Sequence, residues 1–390
     1  MNPMRCPHSY PLLLAFLVVP RVCMSQADPV PPPPPAAQEE LNRQAAYGYM
    51  APSLDAYQGN WNAGEAQQSA SLWKALCDSR PADVNAQFNW FRSERNARLS
   101  SNNGTLNAVD EKELNQIAER IQTTAPGSFE QHLSSYYVAF PERKAFEELQ
   151  AARQADAQRT ELILPMLNNA NLNGDLAALD TWCAQAATRG GLSPALANVA
   201  QDLLTSVDRD GVVFLNGDMD VAPVLIQQRT KDLRRDVLVV DQRLLGDAAY
   251  RQRIWSAAKA TGPVPSGGPA FAQALMKATA RPVFLALSLD RVWFNFFQNN
   301  LCPTGIAFAL RNEQHCDNTV LLQRWKSMRK DPGAGPLSRN YLLPGSILLQ
   351  RARAQADGEK AASQLEFELR TLAKAMGATQ DLIKAGVLTH

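Results

Sequence analysis

The chain has 390 residues, of which 45% are hydrophobic and 20% charged, and its 39 Lys and Arg nearly balance 38 Asp and Glu for a formal net charge of +1. That length gives room for two or three domains with cores of their own. The even charge balance excludes a basic footprint, so neither nucleic acid nor an anionic membrane surface is the expected partner.

The N-terminus reads as an export signal. Arg5 and His8 precede an apolar run from Pro11 to Val19, and Ser25-Gln26-Ala27 supplies small residues for cleavage before Asp28. The run is too short to span a bilayer, and Pro20-Arg21-Val22 ahead of Cys23 makes a poor lipobox. Residues 1–27 are expected to be removed, leaving an exported protein, periplasmic or at the cell surface, with no transmembrane segment in the mature chain. The removed part carries Arg5 and Arg21 and no acid, so 37 bases then face 38 acids. Residues 28–37 are a proline-rich spacer, extended and unable to join a core.

Residues 38–207 read as helical. Apolar residues recur at three- and four-residue spacing over Ala51–Tyr57, Ala66–Cys77, Val84–Arg98, Ala108–Thr123, Phe129–Tyr137, Ala145–Leu164 and Leu176–Thr188. The turns Tyr57-Gln58-Gly59-Asn60-Trp61 and Leu172-Asn173-Gly174-Asp175-Leu176 each open a helix, and Pro81 starts another where helix-pair repeats place a proline. The period is irregular. The expectation is an irregular helical-repeat, tetratricopeptide-like array offering a concave surface to a partner. Trp61, Trp73, Trp90, Tyr136, Tyr137 and Trp182 could line that surface, but at helical spacing a core role is the simpler expectation.

Residues 208–316 change character. Val212–Leu215, Val237–Val240, Val283–Leu287 and Ile306–Leu310 are short apolar runs without polar alternation, as strands covered on both faces read. Helical patterns separate them at Val221–Arg229, Ala248–Ala260, Ala270–Thr279 and Arg291–Asn299. This alternation predicts a small, mostly parallel α/β sheet domain. Residues 317–390 turn helical again, over Thr319–Arg329, Ser346–Ala356 and Glu359–Met376, with Pro332–Pro336 as a hinge.

Export would allow Cys77, Cys183, Cys302 and Cys316 to pair. Cys302 and Cys316 flank the run Ile306–Leu310. Five extended residues span about 17 Å, whereas a bridge needs Cα atoms within about 7 Å. That pairing requires the flanking loops to fold back, and four buried apolar thiols are the simpler expectation.

Ligands of open α/β sheets bind beyond the carboxyl ends of the strands, where the turn Asn216-Gly217-Asp218-Met219-Asp220 falls. Asp218 and Asp220, two residues apart beside a helix start, could hold a divalent cation and through it a phosphate. Gly217 would allow close backbone approach, and Gln227 and Asp241 could orient a substrate. The competing roles are structural: Asp220 as the cap of the helix that has Pro223 in its first turn, Asp218 as a turn brace, and Asp241 bonded to local backbone. No Walker loop, Gly-x-Gly-x-x-Gly or Gly-x-Ser-x-Gly occurs. His132, His315 and His390 have no ligand at metal spacing, which leaves zinc and hydrolytic triads unsupported.

Asn216-Gly-Asp-Met-Asp, Pro223, Gln227, Arg235-Asp-Val-Leu-Val-Val-Asp, Leu244-Leu245 and Tyr250 resemble a pattern in bacterial protein O-mannosyltransferase-like membrane proteins. Arg281-Pro-Val-Phe-Leu-Ala and Gly305-Ile-Ala-Phe-Ala-Leu-Arg extend the resemblance, which spans about Leu192 to Arg311. Val221, Val224 and Leu225 depart from it, standing where that family has Thr and aromatic residues. The resemblance implies the fold of the soluble region and an envelope setting. The family's glycosyl transfer is attributed to a membrane portion that this chain lacks.

The function these features favour is an exported module that binds or scaffolds a polypeptide or glycan, with a protein partner or glycan as ligand and no nucleic acid. The alternative is a metal-assisted enzyme acting on a sugar or phosphorylated sugar at the Asn216–Asp220 turn.

Overall fold

The computed structural model describes residues 54–389, except 60, 103, 312–315 and 356–357. The export signal, the proline-rich spacer, residues 51–53, His315 and His390 lie outside the described residues, and the described end of the helix expected at Ala51–Tyr57 is a 3-10 turn, Ala56–Gln58.

Among the described residues, eight α-helices come first: α1 (Ala63–Ser79), α2 (Val84–Ser101), α3 (Ala108–Thr124), α4 (Phe129–Ala139), α5 (Ala145–Ala155), α6 (Ile163–Asn173), α7 (Leu176–Thr188) and α8 (Pro194–Thr205). Side-chain caps fix most of their starts. Asn62, Asp83, Asn107, Ser128 and Asp175 each accept from backbone N–H groups of the first turn, supplying acceptors that an isolated helix end lacks. Successive helices pack on one another, α1 on α2, α4 on α5 and α6 on α7. The single helix expected over Ala145–Leu164 is two, because Asp156–Arg159 breaks the ladder without any Gly or Pro. Trp73, Tyr136, Tyr137 and Trp182 are buried, so the core role holds for them; Trp61 and Trp90 are only partly so.

A five-stranded sheet follows, built from β1 (Val212–Leu215), β2 (Leu238–Asp241), β3 (Val283–Ala286), β4 (Leu301–Pro303) and β5 (Ala307–Leu310) in the order β2-β1-β3-β5-β4. Between them lie α9 (Val221–Lys231), α10 (Ala248–Ala257), α11 (Pro269–Ala278) and α12 (Arg291–Phe296). β1 pairs with β2 and β3 in parallel. The β3–β5 and β4–β5 pairings are antiparallel. The sheet is therefore mixed rather than mostly parallel. The cause is β4, three residues too short to read in the sequence. The chain returns from it through Thr304-Gly305-Ile306, and a connection that short joins only antiparallel strands; β5 is thereby inserted between β3 and β4.

Alternation places Phe214, Leu285 and Phe308 on one face, where Phe214 meets the rings of Phe271 and Trp293 and Phe308 meets Phe294. The opposite face carries Val213, Phe284 and Ala309. Helix α9 packs against β2 on one side and against α6, α7 and α8 on the other. Its residues Val221–Gln228 are all buried, as expected of a helix apolar on every side. One hydrophobic core runs through the array, the sheet and the closing helices α13 (Asn318–Ser327), α14 (Leu342–Arg353), α15 (Glu359–Ala375) and α16 (Thr379–Lys384).

Cys302 and Cys316 are bridged, with Cα atoms 5.2 Å apart, against the expectation of four free thiols. The hairpin explains it: Cys302 sits opposite Ala309, and Arg311 N–H still bonds Asn300 C=O at 2.9 Å, so the chain leaving β5 passes the start of β4. Cys77 and Cys183 remain buried thiols. Among the described residues no helix is long and apolar enough to cross a membrane.

Candidate functional site

β1 is flanked by β2 on one side and β3 on the other, so the carboxyl end of β1 lies at the switch point of the parallel part of the sheet. The Asn216–Asp220 turn occupies it. Gly217, at φ 96°, makes the bend, and a side chain there would meet nothing within 4 Å. The turn faces open space on that side.

Asp220 does not cap α9, since its side chain makes no capping bond. Its Oδ2 accepts from Asn216 N–H at 3.0 Å and from the hydroxyl of Ser288, just past the end of β3. Its Oδ1 is buried and has no partner. Burial pushes this carboxyl up to about 7 against the bonds from Ser288 and Asn216, and the charge of Asp241 adds to the rise. A carboxyl in this setting is poised to be neutral.

Asp218 turns to other partners. Arg243 Nη1 lies 2.6 Å from its Oδ1, and Asn168 Nδ2, on α6, lies 3.4 Å from the same oxygen. The Arg243 guanidinium also binds Asp241, with Nη2–Oδ2 at 2.7 Å and Nε–Oδ1 at 3.0 Å. Burial raises the Asp218 carboxyl, but Arg243 and, beyond it, Arg95 outweigh this and hold it below the usual range. Asp241 also accepts from Arg243 N–H, and its own N–H donates to the Tyr250 hydroxyl. Asp241 makes the local backbone bond expected of a structural role and is tied to Asp218 through one shared cation.

The helical array forms the other wall. Asn168 is buried. Tyr136 and Tyr137, on α4, pack edge to face with centroids 5.3 Å apart. Both hydroxyls are buried, that of Tyr137 without a partner and that of Tyr136 with only Asn168 beside it. Burial raises both phenols; the next cause for Tyr136 is the Asp218 charge. Arg95, on α2, lies over the Tyr137 ring at 4.7 Å. Asn168, Tyr136, Tyr137 and Arg95 thus meet the carboxyl ends of β1 and β2 across a polar seam.

Of the residues expected at the site, Asn216, Gly217, Asp218, Asp220 and Asp241 come together. Asn216 Oδ1 accepts from Gln242 at 2.8 Å. Gln227 does not join them; it is buried against α8, where Gln201 donates to its Oε1 at 3.0 Å. Asp218 and Asp220 do not fit a divalent cation, because a guanidinium already neutralises Asp218 and Asp220 directs one oxygen to two donors. Among the described residues no group of three His, Cys, Asp or Glu is placed to hold a metal. Sequence reading missed Arg243, Ser288 and Asn168, and it named Tyr136 and Tyr137 only as array residues with a core role as the simpler expectation. Arg243 had a local signal, two residues beyond an apolar strand that ends in Asp241; the array residues had none.

A family model described as TMEM260-associated domain 2 matches residues 196–272, less than half of the chain. The matched part runs from α8 into α11 and carries the turn, Asp241 and Arg243, but not Ser288 or the array wall. Comparison with the curated proteins and with the solved structures gives no match.

Proposed function

We propose that this protein is an exported module of the cell envelope in which a tetratricopeptide-like array and an α/β sheet together hold a glycan in the seam between them. One observation carries the reading. Three buried polar groups in this one region, the Tyr137 hydroxyl, Asp220 Oδ1 and Arg95 Nε, have no partner, and the Tyr136 hydroxyl has only Asn168 beside it, whereas buried polar atoms are ordinarily satisfied. Hydroxyl-rich ligands supply both donors and acceptors to such groups. The match to TMEM260-associated domain 2 and the resemblance to protein O-mannosyltransferase-like proteins point to a setting where saccharides are handled. Export rests on the character of residues 1–27.

The test is a titration of the full chain with a panel of neutral and acidic oligosaccharides, followed by thermal shift, in the parent and in Asp218→Asn. A ligand that binds only the folded state raises its melting temperature. Binding that is weakened in Asp218→Asn supports the seam. A panel without a binder, or binding indifferent to Asp218→Asn, removes the proposal.

A further inference from the structure

Helix α2 carries three arginines at three-residue spacing. Arg92 is paired with Asp55 at 3.1 Å and lies 3.9 Å from Glu161. Arg98 is paired with Asp110 at 2.8 Å and Glu113 at 2.5 Å. Arg95, between them, has no carboxylate within ion-pair distance among the described residues. Its Nε is buried without a partner, and its guanidinium lies over the Tyr137 ring. Tyr137 adds a buried hydroxyl that donates to nothing, and Tyr136 a second with only Asn168 beside it.

A guanidinium and two phenolic O–H groups are a donor set, and the complement of such a set is an oxyanion, which planar guanidinium groups bind by paired charge-assisted bonds. Arg95 acts on Asp218 through its charge alone, and the hydrogen bonds of that carboxylate go to Arg243 and Asn168. Resting on the saccharide reading above, we propose that the corner formed by Arg95, Tyr136 and Tyr137 receives an acidic group, so that the seam takes a saccharide bearing a carboxylate or a phosphate in preference to a neutral one.

The experiment compares binding of glucose, glucuronate, glucose 6-phosphate and inorganic phosphate to the full chain at fixed ionic strength, in the parent, Arg95→Gln, Arg95→Lys and Tyr137→Phe. The expected result is at least tenfold tighter binding of one or both acidic sugars than of glucose. Arg95→Gln should abolish that preference, and Arg95→Lys should restore part of it. Preference for glucuronate over glucose 6-phosphate identifies a carboxylate ligand, and the reverse a phosphate. Tyr137→Phe removes a hydroxyl that has no partner, so it should weaken acidic-sugar binding severalfold without lowering the melting temperature of the free protein. That variant keeps the test sharp if the Arg95 variants fold poorly. Equal binding of glucose and the acidic sugars overturns the anion corner and leaves the saccharide reading standing. Inorganic phosphate bound as tightly as glucose 6-phosphate, with loss in Arg95→Gln, supports the corner and overturns the saccharide. Binding of none of the four overturns both.

Discussion

Arg243 Nη1 lies 2.6 Å from Asp218 Oδ1, joining the turn after β1 to the turn after β2. The same guanidinium holds Asp241, which is fully buried. Replacing Arg243 by Met strands two carboxylates around an apolar side chain. Removing one partner of a buried ion pair costs about 3–5 kcal/mol, so the variant should lose that order of unfolding free energy in urea denaturation. A loss under about 1 kcal/mol would mean that water reaches and screens both carboxylates.

Asp220 gives the protein a pH dependence of definite sign. Burial keeps its proton on up to about pH 7 in the folded chain, while an unfolded chain releases it near pH ~3.9. Between those values the folded state binds more protons, so the contribution of Asp220 to stability is full below about pH 4 and lost as pH rises through about 7. Other carboxyls, Asp218 among them, shift the opposite way. The useful quantity is therefore the unfolding free energy of the parent minus that of Asp220→Asn. It should fall by on the order of 3–4 kcal/mol from pH 4 to pH 8. A difference flat across that window would show that the carboxyl is hydrated and ordinary.

The Cys302–Cys316 bridge closes a loop with a sequence separation of 14. Loop-closure entropy for such a span predicts about 3 kcal/mol of stabilisation. The double variant Cys302→Ser/Cys316→Ser should be less stable by up to that amount. Thiol labelling of the chain from Asp28 onward, without Cys6 and Cys23, should find only Cys77 and Cys183, and only after unfolding, since both are buried and burial pushes their thiols up to about 11 and about 12. Four reactive thiols in that chain when oxidised would exclude the bridge.

Phe214 anchors the sheet to its helices. It is fully buried, with ring centroids 5.4 Å from Trp293 and 6.3 Å from Phe271. Truncation to Ala leaves a cavity in the central strand and should cost about 3–5 kcal/mol. Phe296→Ala, at a ring nearly half exposed, should fall within about 0.5 kcal/mol of the parent. Similar losses for the two would mean that burial is not what separates them.

Legibility in the sequence followed the range of the interaction. Val212–Leu215 and the α9 pattern stood out because a strand or helix buried on all sides needs apolar residues in an unbroken run, a local signal. β4 was invisible because Leu301-Cys302-Pro303 is too short to carry a period, and with it went the strand directions beyond β3 and the disulfide. At the site, the turn and Asp241 were readable because strand ends concentrate polar residues. Their meaning was not. Asp220 looked like a cap because Pro223 follows it, yet Ser288, 68 residues away, takes its carboxylate. Gln227 looked like a site residue from its neighbours in the chain, yet its face of α9 turns to Gln201. Arg95 and Tyr136 sit in helices whose spacing says only that one side is buried, not that a carboxylate lies opposite.

Helix α9 is buried over Val221–Gln228 because sheet and array both lie against it. The break in composition near residue 208 is therefore a poor place to divide the polypeptide. A fragment starting there would leave the array-facing side of α9, with Val224, Leu225 and Gln227 among its buried residues, open to water, and a fragment ending there would uncover the matching faces of α7 and α8. Expressed separately, the halves should aggregate or stay partly unfolded, yet reassociate when mixed, as two pieces of one cooperative unit rather than beads on a string.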